Sequence, residues 1–266
     1  DYNIIPSRNI LMAYINYITS VSNNLTLVMD NSQYKEIFTK GLIIANEALN
    51  KEIKKDPSNS LLYNRKAVVD SISFLVFSNP QYFTDAITDS NQAIALSPEH
   101  VQYYFNLADT YLIAQQTKQA INVMQTALQI NSQYKDTYFY LAKAYLADKQ
   151  LDKALRYAVL FLRYGYQPQN ENFFAVLANG FLERSDYKQT IATWELYLKY
   201  NQNNGRAINQ LIKLYLQTGA EQSAAVLAQK VTISNPAFAK DADYIIGKIQ
   251  AGQVQELLQE MEGKTK

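Results

Sequence analysis

The sequence predicts an all-α fold, a solenoid of about six helical hairpins wound as one right-handed superhelix and closed by terminal capping helices. Three observations predict it. An apolar pattern recurs with steps of 34, 36 and 34 residues, from Leu107 to Leu141, Leu177 and Leu211. Within each recurrence the apolar residues fall at helical spacing, and no segment keeps the two-residue alternation of a strand for more than a few positions. No Gly/Ser-rich or Pro-rich linker interrupts the chain, so residues 1–266 read as one domain.

In chain order, residues 7–29 read as an opening helix, with Ile10, Leu11, Tyr14, Ile15, Ile18 and Val21 on one face. A second helix carries Ala45 and Leu49 and stops at Lys54-Lys55-Asp56-Pro57, where cations and a proline end it. These two make a degenerate hairpin over residues 1–58. Residues 59–100 form a longer, irregular hairpin. Its first helix spans about 60–77 and breaks at Ser78-Asn79-Pro80, because proline disfavours helix at the residue before it. Its second helix carries Ala86 and Ala93 and ends before Pro98.

Four regular units then fill residues 101–236. The first has Tyr104, Leu107, Ala108 and Tyr111, followed by Ala120, Met124 and Ala127. The second has Tyr138, Leu141, Ala142 and Tyr145, then Ala154, Ala158 and Phe161. The third has Phe174, Leu177, Ala178 and Phe181, then Thr190, Trp194 and Tyr197. The fourth has Ile208, Leu211, Ile212 and Tyr215, then Ala224, Ala228, Val231 and Pro236. Spacings of three, one and three line one face of a helix. Alanines let two helices approach, and aromatic and aliphatic side chains fill the space between neighbouring hairpins. Trp194 therefore belongs to the core. Residues 237–266 hold two short capping helices split at Gly252. In the last of them Val254, Leu257, Leu258 and Met261 form an apolar stripe backed by Gln255, Gln259 and Glu260, suited to closing an open solenoid end.

These residues resemble the tetratricopeptide repeat: aromatic, Leu and a small residue, Tyr, then Ala, a bulky residue, Ala and Pro at fixed offsets. Ala or Ile stands where the pattern favours Gly. The resemblance implies that the first helix of each hairpin lines a concave surface. It brings Gln102, Phe105, Asn106 and Asp109 inward from one unit, and Phe139, Tyr140 and Lys143 from the next. From the last two it brings Asn172, Asn179 and Glu183, then Arg206, Asn209, Gln210, Lys213 and Gln217. The implied peptide-binding groove is carried by Gln102, Asn106, Asp109, Tyr140, Lys143, Asn179, Arg206, Asn209 and Lys213. Their amides can pair with a peptide backbone and their cations can hold a carboxylate. The carboxylate clamp of tetratricopeptide co-chaperones is broken, because Phe105, Phe139 and Ala175 stand where it requires lysine. Residues 1–130 more loosely resemble the repeat tail of bacterial O-antigen ligase or polymerase-type membrane proteins. That would make the chain a soluble accessory tail, tethered to the bacterial inner membrane through a region upstream of Asp1.

Composition narrows the chemistry. Lys and Arg total 25 against 24 Asp and Glu, a balance that excludes binding nucleic acid by phosphate neutralisation. There is no Cys and one His, which removes disulfides, thiol nucleophiles and metal sites needing two imidazoles. No glycine pair forms a phosphate loop. His100 reads as a solvated first-turn residue, and Asp85 and Asp89 as solvated surface acids. Tyr103 and Tyr140 fall outside the core pattern and read as exposed contacts. The longest apolar run, residues 157–162, is far short of the roughly 20 residues a membrane span needs. The first residue is Asp, which reads as a fragment or processed product with no insertion of its own into a membrane. The expectation is a non-catalytic scaffold for a protein or peptide partner, with no cofactor, metal or catalytic residue and no nucleic-acid partner.

Overall fold

The computed structural model describes residues 29–163, 171–234 and 236–263. The opening helix expected over residues 7–29 lies almost wholly outside the described residues. Among the described residues there are thirteen α-helices, one 3-10 turn and no strand. The chain divides into two compact units, residues 1–148 and 149–266.

The first unit contains α1 (Ser32–Lys55), α2 (Ser60–Phe77), α3 (Pro80–Leu96), α4 (Val101–Ile113), α5 (Thr117–Ile130) and α6 (Asp136–Ala147). Each helix packs on the next, and α4 also packs on α2 and α6. The long α2 ends at Ser78, as the Ser-Asn-Pro sequence predicts, and Asn79 caps α3 by accepting from the Gln81 N–H with Pro80 in the first turn. Phe38, Leu42, Ala45 and Leu49 of α1 bury against Leu62, Val69 and Ile72 of α2. Ala86, Ala93, Ala108, Ala120, Ala127 and Ala142 are fully buried. A methyl group at such crossings lets helix axes approach to the short end of the usual 8–10 Å range, roughly. Larger side chains such as Phe105, Met124 and Leu141 then seal the layers.

The second unit contains α7 (Leu151–Arg163), α8 (Glu171–Glu183), α9 (Tyr187–Tyr200), α10 (Gly205–Gln217), α11 (Glu221–Ser234), α12 (Ala239–Gln250) and α13 (Val254–Gly263). Its core repeats the recipe with Ala154, Ala158, Ala178, Ala224 and Ala228 beside Phe174, Phe181 and Trp194. Trp194 is 4% exposed and meets the Tyr197 ring edge-on at 6.1 Å. The two short terminal helices expected after residue 236 are α12 and α13, split at Gly252. It is α12 that packs on α11, whereas α13 turns back across α10 and α12. Gly252, at φ +71°, makes that reversal.

The repeat is also written in the backbone. Gln115, Lys149, Ser185 and Gly219 all have positive φ, at 59°, 59°, 57° and 72°. They stand four residues after Tyr111, Tyr145, Phe181 and Tyr215, one at the same position in each unit. The following N–H then reaches back to the first helix: Gln116 to the Tyr111 carbonyl at 2.8 Å, Asp186 to Phe181 at 3.0 Å and Ala220 to Tyr215 at 2.7 Å. This left-handed closure satisfies carbonyls left open at the helix end. The connections between hairpins recur too. His100 donates to the Ser97 carbonyl, Tyr134 to Asn131 and Asn204 to Asn201. The Tyr104 and Tyr138 hydroxyls pin those turns by donating to the Pro98 and Ser132 carbonyls, both at 2.9 Å.

A buried charge cluster ties α2 to α3. Lys66 Nζ lies 2.8 Å from Asp70 and 2.6 Å from Asp89, and all three side chains are at least 86% shielded. Asp89 is therefore not the solvated acid expected from sequence; its helix face is covered by α2. Burial raises the Asp70 carboxyl to about 6, against the pull of Lys66 and of Asn46, which also faces it. Burial raises Asp89 as well. Burial works to lower the Lys66 ammonium, but pairing with Asp70 and Asp89 outweighs it and holds Lys66 above its ordinary value.

Two predictions follow from the backbone and the cluster. Ser185 holds a left-handed conformation that costs a side-chain-bearing residue roughly 1 kcal/mol, so Ser185→Gly is expected to leave stability unchanged or raise it by up to about 1 kcal/mol, while Gly219→Ala lowers it by about 1 kcal/mol. Urea melts followed by circular dichroism read both. A raised carboxyl contributes stability that is complete below about pH 4 and lost as pH rises through about 6. Relative to the unaltered chain, Asp70→Asn is thus expected to gain stability as pH rises from about 4 to about 7, on top of a pH-independent loss from leaving buried Lys66 with Asp89 alone. A difference independent of pH would contradict this.

Candidate functional site

The expected groove residues fall five in the first unit and four in the second. In the first unit, α4 carries Gln102, Asn106 and Asp109 at helical spacing, and α6 carries Tyr140 and Lys143. All five are partly exposed. Gln102 Nε2 donates to Asn106 Oδ1 at 3.5 Å, and Asn106 Nδ2 donates to Asn64 Oδ1 of α2 at 2.8 Å. A line of amides thus crosses from α4 to α2, and Asn64, 7% exposed, is its anchored end. Sequence reasoning passed over Asn64 because α2 lacks the regular repeat pattern.

Beside the amides sits an aromatic and charged group. The Tyr140 ring stacks on Phe105 at 4.4 Å with an interplanar angle of 12°. Tyr134 adds a tilted contact to Phe105 at 5.6 Å. Lys143 Nζ lies 4.8 Å from the Tyr140 ring centre and 3.0 Å from Asp109 Oδ1. Burial, then the Asp109 and Asp136 carboxylates and a hydrogen bond to Asp109, push the Tyr140 hydroxyl well above the ordinary phenol range. Tyr140 therefore stays neutral. The face is polar and close to charge-balanced, with amide donors and acceptors next to an aromatic shelf. Such a surface suits an uncharged peptide backbone better than a highly charged ligand.

Two expectations are corrected here. Phe105 does not face a groove; at 1% exposure it is the base on which Tyr140 stacks. Tyr103 is not an exposed contact: it is 4% exposed, its hydroxyl lies 3.1 Å from Ser60 Oγ, and its ring meets His100 edge-on. Neighbours on both sides of α4 cover residues that an outer-face count leaves bare. Tyr140 is half-buried and His100 is exposed, at the N-terminal end of α4.

In the second unit, Asn179 is exposed on α8. Arg206 is exposed and lies 3.4 Å from Glu171, which also accepts from Asn204 at 2.7 Å. Asn209 lines a cleft of about 220 Å³ with Phe238, Tyr244, Ile245, Leu257 and Met261. Lys213 Nζ is 3.5 Å from Glu262 of α13. So α13 pairs with Lys213 and adjoins the cleft lined by Asn209, which itself stays exposed. On the opposite side of α10, Leu211 and Tyr215 line a depression of about 520 Å³ with residues of α9 and α11. Among the described residues, no three His, Asp or Glu side chains converge as a metal site, and no helix is long and apolar enough to cross a membrane.

A tetratricopeptide repeat family model matches residues 111–158. The pilF protein of Pseudomonas aeruginosa superposes with a TM-score of 0.50 at 17% identity, over 91% of this chain and 97% of that one. A tetratricopeptide repeat protein from Parabacteroides merdae gives 0.49 at 15% identity, over 94% and 99%. YrrB, described as a tetratricopeptide protein with an unusual peptide-binding site, gives 0.44 at 22% identity, over 65% and 88%. At these identities the likeness is one of fold. A search of curated proteins found no match. The comparisons do not carry the O-antigen ligase resemblance.

The amide line generates one prediction. Asn106→Ala leaves the buried Asn64 carbonyl without its donor, a loss of about 1–3 kcal/mol. The double variant with Asn64→Leu is expected to recover part of it. A double-mutant cycle by chemical unfolding measures the coupling.

Proposed function

Built from tetratricopeptide repeats, this chain is, we propose, a non-catalytic interaction module that holds an extended segment of a protein partner along its first-helix faces. The observation that supports this most is the first-unit face, where Gln102, Asn106, Asp109, Tyr140 and Lys143 lie together with their hydrogen-bonding capacity only partly used. Gln102 keeps its carbonyl and one N–H for a ligand, and Asn106 keeps one N–H. Tyr140 offers a ring already fixed by stacking on Phe105, so little rotamer freedom is lost on binding. In the second unit the candidates are Asn179, exposed on α8, Arg206 and Asn209, exposed on α10, and Lys213, which pairs with Glu262. Arg206, exposed beside Glu171, would be free to turn toward a carboxylate of the partner.

The charge balance supports a partner read through its backbone and apolar side chains rather than through many charges. Lys143 is offset by Asp109, so the first-unit face brings little net attraction of its own. The reading needs no cofactor, no metal and no catalytic group.

A display library of random peptides selected on the chain tests this. Enriched peptides are expected to bind at least tenfold more weakly to the variant Gln102→Ala, Lys143→Ala, Arg206→Ala, while its melting curve stays close to that of the unaltered chain. Asn106 is kept because its loss would destabilise α2. Equal binding to both chains would refute the assignment.

A further inference from the structure

We propose that the α10–α12 face of the second unit is a receptor for an acidic amphipathic helix, and that α13 is a tethered occupant which a partner helix of that chemistry displaces. This surface is separate from the first-unit face; it includes Asn209 and Lys213 of the second unit and deepens that part of the reading above, on which it rests, by naming the partner's chemistry.

The receptor side presents two lysines to α13. Lys213 of α10 and Lys248 of α12 are held at 22% and 15% side-chain exposure, low for lysine. Asn209, Phe238, Asp241, Tyr244 and Ile245 form the receptor wall of the 220 Å³ cleft, so one acid stands on that side with the two lysines. The occupant side is acidic and loosely held. Glu262 pairs with Lys213 at 3.5 Å, Glu256 with Lys248 at 2.8 Å, and Tyr244 donates to Glu260 at 2.6 Å. The Glu262 and Glu256 side chains are 58% and 54% exposed, so their ion pairs contribute little to holding α13. Two of its side chains are buried, Val254 and Leu257. The helix is 10 residues long, below the roughly 12–15 at which an isolated helix begins to persist in water.

Complementarity defines what fits. A partner helix needs apolar residues at the spacing of Val254, Leu257, Leu258 and Met261, with carboxylates where Glu256, Glu260 and Glu262 stand. A longer helix of this kind gains contacts that three turns cannot make. The tether gives α13 an effective concentration of about 1 mM, so a free helix competes at a disadvantage until α13 is loosened.

The test uses a fluorescein-labelled peptide of residues 252–263 and fluorescence anisotropy on the full chain. Two loosened chains serve: Leu257→Ser, and the charge-reversed Glu256→Lys, Glu262→Lys. The peptide is expected to bind each at least tenfold more tightly than the unaltered chain. Adding Lys213→Glu to the Leu257→Ser chain should abolish binding, and a peptide with all three glutamates replaced by lysine should not bind. Gln102→Ala with Lys143→Ala should change nothing here, so this inference and the first-unit reading fail separately. No binding to either loosened chain while its helical spectrum is retained, or binding indifferent to Lys213→Glu, would overturn the proposal.

Discussion

Close approach of paired helices is the constraint on which the rest of this structure depends. Ala108, Ala120, Ala142, Ala154, Ala178, Ala224 and Ala228 are all fully buried where hairpins close. A methyl group at these positions brings two backbones near enough for flanking aromatics to span to the next hairpin. Phe105, Phe174 and Phe181 fill that space almost without exposure. Each hairpin buries its apolar surface on its neighbours rather than in a central core, so stability is close to a sum of unit and interface terms. The same spacing sets the functional face. Because α4 and α6 pack side by side, Asp109 and Lys143, 34 residues apart, come within ion-pair distance.

Much of this was legible in the sequence. The recurrence from Leu107 to Leu211 predicted the helices of the regular units, and Ser78-Asn79-Pro80 and Lys54-Lys55-Asp56-Pro57 predicted where α2 and α1 stop. The expectation of a core Trp194 holds because its position in the repeat faces the neighbouring helix. What escaped was set by three-dimensional neighbours. Phe105 and Tyr103 sit on faces of α4 that periodicity leaves free, yet α2 and α6 flank that helix. Asp89 looked like one of two surface acids, because nothing local announces that Lys66, 23 residues earlier, reaches it. The left-handed turn position escaped for a different reason. Gln115, Lys149 and Ser185 occupy it without being glycine, so composition carried no signal and only Gly219 conformed.

The site shows the same division. Family resemblance pointed the reading to α4 and α6 of the first unit, but it did not reveal that those side chains are already wired together. Asn106 is as much a structural link to Asn64 as a potential ligand contact. Lys143 is balanced by Asp109 and lies over the Tyr140 ring, so the face carries little net charge of its own. In the second unit the apolar stripe of Val254, Leu257, Leu258 and Met261 marked α13 as a capping helix. The chain lays it across α10 and α12, with the backbone turning at Gly252 and Val254 and Leu257 buried.

The central claim is that partners are read by the first-helix face of α4 and α6. The most direct measurement is the change in side-chain amide NMR signals when a selected peptide is added to isotopically labelled chain. The account predicts that Gln102 and Asn106 shift first and most, with Asn64 following through its hydrogen bond. Shifts confined to residues of α3 and α5, with Gln102 and Asn106 unmoved at saturation, would contradict it.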